Sequence, residues 1–139
     1  MRSFRIRRLG PGDGVLFQQM NTVFGDAFDD PETYTTDRPD ESYVADFLAQ
    51  DHIHALVAIE GQEVIGGLVG YELRKFERVR SEIYIYDLAV QAQHRRRGVA
   101  TALIKHLREL ATERGIWIIY VQADYGDDPA IALYTKLGT

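Results

Sequence analysis

Leu88-Ala89-Val90-Gln91-Ala92-Gln93-His94-Arg95-Arg96-Arg97-Gly98-Val99-Ala100-Thr101 reads as a strand end, a short polar loop and a helix start. Upstream, Ser81–Val90 (SEIYIYDLAV) is mostly β-branched, aromatic or apolar, as a central strand requires. Downstream, a helix is predicted from Gly98, with an apolar stripe at Val99, Ala102, Leu103, His106, Leu107 and Leu110. Gly115 stops it in the manner of a C-cap. Residues 116–123 (IWIIYVQA) then form another central strand. Strands joined through a helix run parallel, so residues 81–123 set the fold class as α/β.

The rest of the chain fits around that unit. Residues 4–9 alternate weakly and end at Gly10-Pro11-Gly12-Asp13, a turn with Asp13 as N-cap of a helix over 14–24. Residues 25–39 hold Gly, two Pro and five Asp/Glu and read as a loop. Asp40 opens a second helix, with Tyr43, Val44, Phe47 and Leu48 at helical spacing. Residues 54–60 and 64–73 are apolar runs joined by the hairpin signal Glu60-Gly61-Gln62-Glu63. Residues 129–137 read as a short final helix. The predicted order is β-α-α-β-β-β-α-β-α, a single domain over 1–139 with a mixed sheet flanked by helices.

Composition closes off several chemistries. With no Cys there is no disulfide, thiolate zinc site, iron–sulfur cluster or thiol nucleophile. The four His (52, 54, 94, 106) lack a HExxH or comparable ligand spacing, so no metal site is expected. No apolar run approaches the ~20 residues of a membrane span. The start, Met1-Arg2-Ser3-Phe4-Arg5, lacks the apolar stretch of a secretory signal, so a cytoplasmic location is expected.

The net charge of −5 is unevenly spread. Between Asp26 and Asp51 nine carboxylates face one cation, Arg38; between Gln91 and Arg114 six cations face two Glu. That separation argues against a uniform basic face for nucleic acid. It suits an anionic ligand near residue 97 and a cationic one elsewhere, or a plain solvated acidic loop. At residues 95–101 the first-turn amides of Gly98, Val99, Ala100 and Thr101 have no intrahelical acceptor. With the helix dipole they favour an anion by roughly 0.3–1 kcal/mol per unit charge. Gly98 and Ala100 are small enough to let a phosphate reach the backbone, and Arg95, Arg96 and Arg97 add charge. Neither a Walker loop nor GxGxxG is present.

Arg95-Arg96-Arg97-Gly98-Val99-Ala100 resembles the Arg/Gln-x-x-Gly-x-Gly/Ala acetyl-CoA signature of the GNAT acyltransferase superfamily. Ala130-Ile131-Ala132-Leu133-Tyr134-Thr135-Lys136-Leu137-Gly138 resembles that superfamily's closing helix. Within it, residues 80–90 and 120–130 (the latter containing Tyr-Gly-Asp-Asp-Pro) look like the aminoglycoside 3-N-acetyltransferases of gentamicin resistance.

The resemblance implies a mostly antiparallel sheet splayed at its central parallel pair, and acetyl-CoA as co-substrate. Its pyrophosphate would rest on the loop amides, here Arg97 to Thr101, and its pantetheine arm on the backbone of Leu88, Ala89 and Val90. Transfer would be direct, without a covalent enzyme intermediate, to the 3-amino group of a cationic aminoglycoside. The incoming ammonium must lose a proton, and Asp87, interrupting an apolar strand beside the acyl site, is the first choice of base. The alternative for Asp87 is a structural acceptor of backbone amides. Tyr134 occupies the family's position for an acid that protonates the leaving thiolate; otherwise it is a core Tyr. Asp124, Asp127 and Asp128 would hold further ammonium groups, with Tyr86 and Tyr125 as walls, although Asp127 or Asp128 before Pro129 also suits an N-cap. Asp29, Asp30 and Glu32 fall where relatives cover the acceptor side.

Family members continue past Leu-Gly, whereas this sequence stops at Thr139. The final strands are thus expected to be missing, and an uncovered sheet edge predicts a homodimer. Two other functions fit the same motifs: acetylation of another polyamine or a peptide amine, and acyl-CoA binding without turnover.

Overall fold

Local sequence decides which face of the sheet each helix takes. The computed structural model describes residues 3–116, 118–125 and 128–135, with β1 at Phe4–Arg8, α1 at Gly14–Ala27, a π-helical segment at Glu32–Thr36 and α2 at Glu41–Ala49. They are followed by β2 (Ile53–Glu60), β3 (Glu63–Arg74), β4 (Ser81–Val90), α3 (Val99–Glu113), β5 (Ile118–Tyr125) and β6 (Asp128–Thr135). The strands form one sheet in sequential order. All neighbours are antiparallel except β4 and β5, which are parallel. The sequence-based expectation of a mixed α/β sheet with one parallel pair is met.

α3 has Val99, Leu103, Leu107 and Ala111 buried along one face, an i, i+4 stripe. It packs with Leu56, Ile65, Leu68, Ile83 and Ile85 on one side of the sheet. α1 and α2 cover the other side through Phe17, Met20, Phe24, Val44 and Leu48. Two adjacent glycines let both layers approach the sheet centre. A Cβ on Gly66 would lie 3.0 Å from Val99 of α3, and one on Gly67 would lie 2.5 Å from Met20 of α1. At Gly67 no larger residue fits without moving α1.

The far end of α3 is tied to the sheet by charge. Arg114 donates through Nε to Glu72 Oε1 (2.7 Å) and through a terminal nitrogen to Oε2 (3.0 Å), a two-pronged pair. The buried His54 lies 3.1 Å from the same Glu72 oxygen through Nε2. Burial lowers the His54 pKa, so the ring is neutral at pH 7 and donates Nε2–H.

Four local expectations are corrected. In place of the closing helix expected over 129–137, residues 128–135 are strand β6, paired with β5 from Ile118↔Thr135 to Tyr125↔Asp128, and residues 136 and 137 lie outside the described residues. A short apolar run is legible as either element, and here the open flank of β5 decides by taking a hydrogen-bonding partner. Asp128 is therefore a strand residue and not an N-cap. Asp13 makes no cap bond to α1; its carboxylate accepts from Gly10 N (2.8 Å) and pairs with Arg7 (2.6 Å), closing the β1–α1 turn. The 25–39 stretch is not all loop, since it contains the π-helical segment. Asp40 does cap α2, accepting from the Tyr43 amide at 2.8 Å.

Candidate active site

The parallel pair is short. β4 and β5 are in register only at Ile83↔Ile119, Tyr84↔Tyr120 and Ile85↔Val121. Past Ile85 the chain of β4 continues to Val90 with β3 on one side, whereas β5 continues beside β6. The strands therefore part at residues 85–86. Beyond that point no strand of the described residues lies beside the β5-facing backbone of Leu88, Ala89 and Val90. Such a row is a template for any extended chain that carries amide groups.

A bulge sits at the mouth of this opening. Val69 pairs with Asp87 and Gly70 with Ile85, which leaves Tyr86 as the extra residue. An inserted residue breaks the two-residue alternation, so Tyr86 and Asp87 both project to the face covered by α1 and α2. Tyr86 is 59% exposed and packs edge-on against Tyr71 (5.7 Å between ring centres) and Tyr84 (6.1 Å). Asp87 is half-buried and accepts a 2.7 Å hydrogen bond on Oδ2 from the phenol of Tyr34, in the π-helical segment. Burial raises the Asp87 pKa above the usual carboxylate value, and the Tyr34 bond opposes the rise. Tyr34 and Tyr71 are pushed upward, by burial first and by the Asp87 charge as well, so both phenols are neutral donors at pH 7.

At the C-terminal end of β4 the loop makes a shallow hollow lined by Val90, His94, Arg95, Arg96, Gly98, Val99, Ala100 and Thr101. Gly98, the residue before α3, is left-handed at φ 79°, and no side chain caps the helix. Arg96 is also left-handed (φ 65°). Arg95 Nε is anchored on the Val90 carbonyl at 3.4 Å. Arg97 is turned away: its guanidinium pairs with Glu60 at 2.5 Å and donates to His94 Nδ1. The Arg97 and Ser3 bonds hold the Glu60 carboxyl down to about 2. A larger hollow between α1 and α2 includes Arg38, whose guanidinium already donates to Gln18 and Thr22. Among the described residues it brings together no half-buried carboxylate comparable to Asp87.

The family model for the acetyltransferase (GNAT) family matches residues 18–139. This chain belongs to that family. An aminoglycoside acetyltransferase from an uncultured soil metagenomic sample is 49% identical, with a TM-score of 0.88 over 92% of this chain and 84% of that one. A second metagenomic aminoglycoside acetyltransferase, solved with sisomicin, is 32% identical, with a TM-score of 0.81 over 91% of this chain and 81% of that one. N-acetyltransferase 8B of Rattus norvegicus is 27% identical over 82 residues, 59% of this chain and 37% of that protein. The chain spans about half the length, or less, of the curated relatives it matches first.

Within this GNAT domain the expected residues fall into three groups. Leu88, Ala89, Val90, Arg95, Arg96, Gly98, Val99, Ala100 and Thr101 lie together along the strand end and loop, and the side chain of Arg97, in the same loop, pairs with Glu60. Asp87 and Tyr86 lie together on the bulge. Asp124, Tyr125 and Asp128 lie at the tip of the β5–β6 hairpin, where Asp124 opposes Pro129 and Tyr125 opposes Asp128. Asp127 lies outside the described residues. Tyr134 is opposite Ile119, in the row that continues to Ile83, four positions before Asp87 on β4. Asp30 accepts from the Thr33 amide (3.3 Å) beside the start of the π-helical segment. Asp29 is left-handed at φ 51°. Tyr34 and Tyr71 were not legible as site residues, because the Tyr34–Asp87 contact spans 53 positions with no local periodicity to announce it.

Proposed function

We propose that this GNAT domain transfers an acetyl group from acetyl-CoA to an amino group of an aminoglycoside, in a ternary complex and in the cytoplasm. The observation that carries the reading is Asp87: a half-buried carboxylate, raised in pKa, placed by a bulge where β4 leaves β5. The aminoglycoside acetyltransferases of similar fold support the acceptor class. The 3-amino position rests on the resemblance of residues 80–90 and 120–130.

The residues present fit acetyl-CoA. The left-handed Gly98 brings the backbone close to the first-turn amides of α3, Arg95 and Arg96 add positive charge, and the unpaired edge of Leu88–Val90 matches an amide-bearing arm. Bound there, acetyl-CoA supplies an activated thioester, so the chain needs no nucleophile of its own. Asp87 takes the proton from the incoming ammonium, directly or through one water, and burial, by raising its pKa, makes it a stronger proton acceptor than an exposed carboxylate. Tyr86 walls the amine side, and the carboxylates of Asp124, Asp127 and Asp128 hold the remaining ammonium groups and steer the polycation. Tyr134 would give its proton to the departing thiolate and regain one from the nitrogen as the amide forms. The rate gain comes mainly from holding amine and thioester together.

Thiol release from acetyl-CoA, compared between gentamicin and spermidine, tests the acceptor class. Turnover with gentamicin and little with spermidine is expected; the reverse would move the assignment to another amine. We also assign a homodimer, on the ground that, among the described residues, β6 has β5 alone beside it. Sedimentation at micromolar concentration is expected to give twice the 15.8 kDa chain mass, and a monomer would contradict it.

A further inference from the structure

We propose that Tyr34 is a positioning residue for Asp87, fixing one oxygen of the carboxylate and leaving the other for the acceptor amine. The inference rests on the reading of Asp87 as base. Its ground is geometric. The Tyr34 phenol reaches across 53 positions of sequence to donate to Asp87 Oδ2 at 2.7 Å. Asp87 Oδ1 accepts no hydrogen bond from the described residues.

The Tyr34 ring is itself held in place. It lies 5.7 Å from the ring of Phe24 and 5.8 Å from that of Phe28, so α1 fixes it independently of Asp87. The Tyr34 hydroxyl stays protonated, because burial and the neighbouring carboxylate oppose its ionisation. It is therefore a fixed donor and does not exchange protons. The titratable groups facing Asp87 are Tyr34 from the π-helical segment, Tyr71 from β3 and Tyr86 on its own strand, with Asp30 behind Tyr34. Among them Tyr34 alone donates to the carboxylate, and so it counters the effect of burial on the pKa.

The sign follows. The bond favours ionised Asp87; its loss raises the Asp87 pKa further and shrinks the population able to accept a proton at low pH. Tyr34→Phe keeps the ring and removes only the donor. A hydrogen bond to a charged group is strong enough that losing it moves the Asp87 pKa up by about one unit. A carboxyl-carbon NMR titration of Asp87, in the wild type and in Tyr34→Phe, reads that shift without any turnover. The acid limb of kcat/KM with gentamicin should move up equally, so that the variant falls furthest behind at the acid end of the profile and recovers toward the alkaline end. An unchanged NMR pKa overturns the role of Tyr34. A shifted NMR pKa with an unmoved acid limb instead overturns Asp87 as the base. Loss of activity by an equal factor at every pH, with the NMR pKa unchanged, would reduce Tyr34 to a packing residue.

Discussion

Asp87→Asn is expected to lower kcat by at least about 10²-fold while leaving the affinity for CoA unchanged. Asn keeps the size of the side chain and can still accept from Tyr34, so the 2.7 Å contact and the bulge survive the change. What it cannot do is take a proton from an ammonium. The proposed cofactor loop, Arg95 to Thr101, lies past the end of β4, and among the described residues none of its side chains bonds to Asp87. Steady-state thiol release and equilibrium CoA binding on the same preparation separate the two effects. Wild-type turnover in Asp87→Asn would remove Asp87 as base. Tyr134→Phe is the matching control for the leaving group: lower turnover at unchanged CoA affinity is expected, and full turnover would remove that role.

Gly98→Val should do the opposite, weakening CoA binding first. Gly98 is held at φ 79°, a region that a β-branched residue enters only at a cost of about 1–3 kcal/mol. The added side chain also stands between the first-turn amides of α3 and any phosphate. CoA affinity is expected to fall at least about tenfold, read by calorimetric titration, with a smaller loss for Gly98→Ala. The apolar stripe of α3 is untouched, so the fold should survive. Unchanged CoA affinity in Gly98→Val would place the cofactor elsewhere.

These two residues were both legible in the sequence, and for local reasons. Gly98 follows an Arg-rich loop at the end of an apolar strand and opens a long amphipathic helix, and each of those signals lies within a few positions of the next. Asp87 stands out as a charge inside SEIYIYDLAV. The bulge at Tyr86 could not be read, because it depends on the register between β3 and β4. Tyr34 was hidden more deeply, in a polar stretch of no clear period, and only the packing of α1 on the sheet brings it to Asp87. The same limit explains the end of the chain. Ala-Ile-Ala-Leu-Tyr-Thr has the composition of a helix or a strand, and pairing along β5 decides between them. Arg97 shows the converse limit: its place in the loop suggested a charge for an anion, and only the fold reveals that its guanidinium pairs with Glu60 of β2.

The most direct test of the central assignment is the mass of the reaction products after incubation with acetyl-CoA and gentamicin. The account predicts an aminoglycoside heavier by one acetyl group, one thiol released for each product molecule, and a protein of unchanged mass. CoA binding with no acetylated product from any aminoglycoside, or an acetyl group retained on the protein, would contradict it.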